Sequence, residues 1–108
     1  MAHWQVRFHP RAEAEIEALP ADLRARFLRI ADLLIERGPQ LVGMPHVRPL
    51  EGGLWEMRMQ GRDGIGRAVY VICTGRTLYV LHAFVKKTQR TPRAALATAH
   101  ARRQEIDP

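Results

Sequence analysis

Two arginines, Arg58 and Arg67, stand on neighbouring candidate strands, LWEMRMQ (54–60) and residues 65–73, joined by the short turn GRDG. Guanidinium forks match phosphate oxygens and stay charged near neutral pH. Two of them side by side therefore make an anion site and poor proton carriers. Proton transfer would fall to other groups in the same stretch: Glu56, His82 and the pair Lys86 and Lys87. Those two are the only lysines among 17 basic residues, a bias that suits a spot needing a compact, strongly hydrated charge. Arg62, Thr88, Gln89, Arg90 and Arg93 add donors suited to phosphate or a nucleic-acid backbone. The 5 histidines show no HxxxH or HExxH spacing, and the lone Cys73 offers no zinc knuckle, so no metal site is expected. The chain has no serine, and the glycines of GRDGIG sit inside a hairpin. Neither acyl transfer nor a phosphate-binding loop before a helix is indicated.

The elements that must hold these groups follow from periodicity. His3 to His9 alternates Trp4, Val6 and Phe8 against His3, Gln5, Arg7 and His9, which predicts a half-buried strand with both terminal histidines solvated. Pro10 opens a short acidic helix, RAEAEIEAL, and Pro20 breaks it and opens the next, ADLRARFLRIADLLIER. In the second, Leu23, Phe27, Ile30 and Leu34 form one apolar stripe, and Gly38-Pro39 stops it. Residues 38–53 read as a long loop. Three strands follow over 54–60, 65–73 and 78–85 with the turns GRDG and TGRT between them, an antiparallel meander. Thr91 caps a final helix, with Pro92 in its first position. The fold class is α+β, a single domain over residues 1–108. Its sheet is an antiparallel one, the N-terminal strand plus the meander, with two N-terminal helices on one face and a C-terminal helix.

Taking both turns as four-residue loops registers the meander. Gln60 then faces Ile65, Arg58 faces Arg67 and Glu56 faces Val69; Cys73 faces Leu78, Val69 faces His82, Arg67 faces Phe84 and Ile65 faces Lys86. One face gathers Glu56, Arg58, Arg67, His82 and Lys86, together with apolar Val69, Val71, Val80 and Phe84. The other gathers Trp55, Met57, Met59, Ala68, Tyr70, Ile72, Tyr79, Leu81 and Val85 as core. Two arginines directly opposite each other cost a sheet a few tenths to about 1 kcal/mol, so a bound anion is a natural reason to tolerate them. The structural alternative is that both fan into solvent or pair with Glu56 or Asp63. The apolar members of the basic face exceed what a monomer usually leaves bare, which predicts cover from the last helix or from a partner.

Composition agrees with a small folded domain. Hydrophobic residues make up 46% of the 108 and charged ones 26%, with no apolar signal core or membrane-length run, which points to the cytoplasm. The net charge of +6 lies entirely in residues 54–108, where ten basic residues face four acids; residues 1–53 balance at seven each. Such asymmetry suggests a phosphate-rich or acidic partner on the C-terminal half.

The order strand, helix pair, LWEMRMQGRDG, a strand through Gly66-Arg67-Ala68-Val69-Tyr70, LHAFVKKTQRTP and a basic last helix resembles the RelE/ParE superfamily of toxin–antitoxin toxins, closest to the phage-related, HigB-like group. The resemblance covers about Trp4 to Arg103, and LWEMR, the stretch Gly66 to Tyr70 and HAFVKKTQRTP are its most specific parts. It implies a curved sheet carrying two helices, ribosome-dependent cleavage of mRNA in the A site beside ribosomal RNA, and neutralisation by a helix-turn-helix antitoxin. It implies no cofactor and no membrane. The family's basic cleft maps onto Arg58, Arg67 and Lys86 or Lys87. A tyrosine important in the C-terminal segment of well-known members is missing from TPRAALATAHARRQEIDP, leaving His82, His100 or Glu56 to stand in for it. Two rival readings use the same scaffold: a ParE-like inhibitor of DNA gyrase, and a non-enzymatic nucleic-acid-binding module.

Overall fold

The computed structural model describes residues 3–43, 46–62, 64–86 and 90–106. Its elements are β1 (Gln5–Phe8), α1 (Pro10–Glu17), α2 (Ala21–Arg37), β2 (Val47–Pro49), β3 (Leu54–Gln60), β4 (Ile65–Cys73), β5 (Thr77–Lys86) and α3 (Arg93–Arg103), with a 3-10 turn at Glu51–Gly53. The strands form one sheet in the order β1-β5-β4-β3-β2. The α+β class and the helix pair are as expected.

Two expectations about strand order and direction are corrected. β1 pairs with β5 in parallel, Gln5 opposite Thr77 and Phe8 opposite Val80, so the sheet is mixed rather than antiparallel throughout. A strand that reaches its neighbour only through two helices and a meander is free of the antiparallel pairing that a hairpin imposes. The segment 38–53 also contributes a strand. Val47–Pro49 pairs with β3 at the sheet edge, where a proline costs no ladder hydrogen bond.

The helices form where the sequence places them. Pro10 fills the first turn of α1 and the His9 side chain caps it, its Nδ1 accepting the Arg11 N–H at 3.1 Å. His9 is buried, a departure from the solvated residue expected, because capping turns the ring inward and its Nε2 reaches Glu105 Oε1 at 2.6 Å. With Nδ1 accepting, the ring proton sits on Nε2 and donates to Glu105. The α2 stripe Leu23, Phe27, Ile30 and Leu34 is buried against the sheet. Gly38 ends α2 with φ 81°, and a Cβ there would lie 2.6 Å from the Trp4 indole nitrogen, so both backbone and packing demand glycine.

The β3–β4 register is the expected one, with Arg58 opposite Arg67 and Gln60 opposite Ile65. The β4–β5 register holds from Ile65↔Lys86 to Val69↔His82 and then slips, giving Tyr70↔Val80 and Cys73↔Thr77 in place of Cys73↔Leu78. The turn has three residues (74–76) rather than four, and Leu81, the extra residue on β5, makes up the difference as a bulge. Beyond the bulge each β5 side chain changes face. Val80 therefore joins the core under α1 and α2, while Tyr79 and Leu81 join the opposite cluster. Val85, assigned to the core from the alternation, is 40% exposed near the end of the strand.

The sheet is thus covered on both faces. α1 and α2 close one, with Phe27, Met57, Met59, Tyr70 and Leu78 among the buried residues. α3 lies on the other, burying Ala99 against Leu54, Val69, Val71 and Leu81, so the last helix supplies the cover that the apolar residues called for. Polar ties fix it there. Arg102 makes a bidentate pair with Glu15 of α1 at 2.8 and 2.9 Å and also donates to the bulge carbonyl, Leu81 O, at 3.0 Å.

Candidate active site

Three strands and the approach to α3 converge on one buried carboxylate. Glu56 on β3 has no exposed surface, and the pairing of Arg48 with Glu56 across β2–β3 brings Arg48 Nε to 3.1 Å from its Oε1. The other oxygen accepts the hydroxyl of Thr91 and lies 3.7 Å from Arg67 Nη1; Arg58 Nε is 3.9 Å from Oε1. The Thr91 hydroxyl in turn accepts from Arg48 Nη2 at 3.3 Å and from Arg67 Nη1 at 3.2 Å. One donated and two accepted bonds exhaust a hydroxyl. Thr91 therefore does not cap α3, as the sequence suggested: a buried carboxylate holds its proton, and Pro92 occupies the cap position without a side-chain bond.

Three guanidinium groups and one carboxylate leave this cluster at +2 among the described residues. Arg67 is fully buried. Burial, the largest cause, pulls its guanidinium below the ordinary value, as do Arg58 and Arg48, while Glu56 works in the opposite sense. The repulsion expected between Arg58 and Arg67 is thus moderated from within the protein, since Glu56 sits beside both. A net positive cluster in a partly closed site still favours an arriving anion.

The accessible part lies just outside. An open groove of about 650 Å³ runs along Arg48, Glu51, Arg90, Thr91 and Arg93, between the β2 edge and the start of α3. Arg48 belongs to both regions: its side chain is 31% exposed while its Nε holds Glu56. Arg93 is freely exposed and pairs with Glu51 at 3.6 Å. Arg58 lines a second, smaller hollow of about 160 Å³ with Arg26, Arg29 and His46.

The remaining sequence candidates are distributed around this centre. His82 is not at the carboxylate cluster; its Nδ1 is 2.9 Å from Glu15 Oε1, within the pair that ties α3 to α1. Burial by itself would raise the Glu15 carboxyl, but hydrogen bonds from Arg102, the Ala83 amide and His82 outweigh it and hold it at about 2. Lys86 is exposed at the end of β5 and lines a hollow of about 190 Å³ with His82 and Phe84, on the other side of the α3 start from Arg48. Arg62 is exposed in the β3–β4 turn, its backbone N–H held by Asp22 at 3.1 Å. Lys87, Thr88 and Gln89 lie outside the described residues, as does Asp63. Sequence reasoning misses Arg48 and Glu51 and gives Thr91 only the duty of a cap. The alternation Val47-Arg48-Pro49 is a trace of the first, but three residues are too few to carry a period.

Comparison with known proteins identifies the family and the fold. Residues 14–104 match the family described as "Phage derived protein Gp49-like (DUF891)". The chain belongs to this family. Among solved structures, it is similar to one chain of the archaeal RelE–RelB complex from Pyrococcus horikoshii OT3, with 26% identity over 84% of this chain and 100% of that one and a TM-score of 0.58. A mutant of E. coli toxin RelE in the free state is similar in fold, at 20% identity, 94% and 98% coverage and a TM-score of 0.56. None of the curated protein sequences matches significantly. This Gp49-like chain therefore has the RelE/ParE superfamily fold. Among its described residues no helix is long and apolar enough to cross a membrane.

Proposed function

We propose that this Gp49-like protein is the toxin of a toxin–antitoxin pair and a metal-independent endoribonuclease that cuts mRNA in the ribosomal A site. The observation that carries the reading is the basic groove fed by a buried cluster of charge +2, in which Arg48 joins the interior to solvent. RNA brings its own nucleophile, the 2′-hydroxyl, so the protein has only to position it, move a proton and stabilise the charge that develops on phosphorus. Arg48, Arg90 and Arg93 receive the backbone phosphates, and Arg67 and Arg58 add positive potential from behind. Lys86, Lys87, Thr88, Gln89 and Arg62 extend the contact to flanking nucleotides or ribosomal RNA. No cofactor is required.

The RelE–RelB likeness supports a small protein antitoxin as partner, and a helix-turn-helix protein is the form proposed. Primer extension on transcripts after brief expression tests the whole reading. Codon-phased cuts that vanish on co-expression of the neighbouring antitoxin are expected. Intact messages accompanied by supercoiling defects would instead indicate a gyrase-directed toxin on the same scaffold.

A further inference from the structure

A nuclease of this kind needs a group that takes the 2′-hydroxyl proton, and the groups deepest in the site are unsuited to it. The arginines hold their protons near neutral pH, Glu56 has no exposed surface, and the Thr91 hydroxyl is fully committed. His82 is engaged by Glu15 and Arg102. Along α3, however, Arg93, Leu96 and His100 recur at helical spacing, and the first two line the groove. His100 stands one turn further on. Its Nε2 lies 3.3 Å from Glu51 Oε2, and Glu51 is itself a groove residue whose other oxygen faces Arg93 at 3.6 Å. Both side chains remain within reach of a ligand, His100 at 39% and Glu51 at 49% exposure.

The backbone is shaped for this contact. Gly52 takes φ 62°, and a Cβ there would approach His100 Cε1 to 3.0 Å, so glycine lets the 51–53 turn lie against the imidazole. The turn is further tied to α3 by the Arg103 guanidinium, which donates to Gly52 O. A carboxylate on Nε2 places the proton of the neutral ring there and leaves Nδ1 as the acceptor. Among the described residues Glu51 faces the ring from the turn, while from α3 Arg93 pairs with the other oxygen of that carboxylate and Arg103 holds the turn at Gly52 O.

We infer that His100, oriented by Glu51, is the general base of this site, acting on the 2′-hydroxyl of a single-stranded RNA whose phosphates lie on Arg48, Arg90 and Arg93. The inference rests on the nuclease reading above. The 2′-oxygen bonds to phosphorus as the bond to the 5′-oxygen breaks. The hydroxyl proton passes to His100 and the departing 5′-oxygen takes one from solvent, leaving a 2′,3′-cyclic phosphate and a 5′-hydroxyl. His100 is a catalytic residue in this scheme and Glu51 a positioning residue.

The test is single-turnover cleavage of mRNA on programmed ribosomes by wild type, His100→Gln and Glu51→Gln across the imidazole titration range. Binding of a message carrying a 2′-deoxy residue at the cut position is measured alongside. The wild-type rate is expected to rise with pH to a plateau. His100→Gln should be slower by roughly 10²–10⁴-fold, the usual scale for a general base, and lose that rise while binding the deoxy message unchanged. Glu51→Gln should fall less and keep a displaced pH profile. Wild-type rate and profile in His100→Gln would overturn the assignment while leaving the nuclease reading intact. A wild-type protein that cuts nothing would overturn both.

Discussion

Glu56→Gln probes the buried cluster most directly, because it keeps the shape of the side chain and removes one negative charge from a fully buried position. The carboxylate faces guanidinium nitrogens at 3.1, 3.7 and 3.9 Å. Each contact carries roughly 4–5 kcal/mol of Coulomb attraction at an effective dielectric near 20, and desolvation of the ions cancels most of it. What does not cancel is the charge left behind. Arg67 has no exposed surface, and taking the carboxylate away from such a buried charge costs about 3–5 kcal/mol. Arg48 is 31% exposed and can turn to water, which puts the expected loss near the low end of that range. A domain of this size loses about 4–8 °C of melting temperature per kcal/mol, so Glu56→Gln should melt roughly 12 °C or more below wild type. Urea denaturation of Glu56→Gln, Arg67→Met and the double variant completes the test. The double variant should be less destabilised than the sum of the singles by about 1 kcal/mol or more, since removing Arg67 removes the charge that Glu56 offsets. A Glu56→Gln protein within about 0.5 kcal/mol of wild type would refute the idea that this carboxylate holds the arginines together.

Other perturbations test separate parts of the structure. Tyr70 is buried, its hydroxyl has no hydrogen-bond partner among the described residues, and burial pushes the phenol above its ordinary value; Tyr70→Phe should match wild type in urea or exceed it by up to about 1 kcal/mol. Glu15, held down at about 2 in the fold against an ordinary 4.5, contributes stability that is present above the unfolded value and is lost as pH falls toward the folded one. Acid titration of the melting temperature should therefore be shallower in Glu15→Gln over that window, and identical slopes would remove Glu15 from the acid response. Gly38→Ala combines a positive φ with a clash at Trp4 and should cost roughly 1–3 kcal/mol in urea. RNA binding should weaken steeply with salt, and Arg93→Gln should reduce the slope of log affinity against log salt by about 1; an unchanged slope would place Arg93 off the phosphate path.

The parts of this fold visible in the sequence are those fixed by local period or by the β3–β4 turn, whereas the turn after Cys73 misled the register of β5. The α2 stripe announces its buried face, and the glycine-bearing turn after Gln60 is enough by itself to set Arg58 opposite Arg67. The candidate site is legible only on its β3–β4 side. Arg48 enters through a three-residue strand inside an apparent loop, and Thr91 is recruited by a carboxylate 35 residues away, a contact to which no local pattern points. His9 escapes its pattern for a related reason: strand alternation sends it outward, while its duty as a helix cap turns it in.

The three-residue turn after Cys73 and the bulge at Leu81 behave like a frameshift and its suppressor written into one hairpin. Either one alone would exchange the two faces of β5, carrying His82 and Phe84 to the α1–α2 side or Leu78 and Val80 away from it. Together they confine the altered phase to the few residues between them. Lengthening the turn by one residue would therefore require deletion of Leu81, and that deletion would remove the carbonyl on which Arg102 anchors the last helix. Loop length at one end of the sheet and attachment of α3 across its face are thus inherited as a unit, and an insertion that looks harmless at the hairpin tip would be read out in the docking of α3.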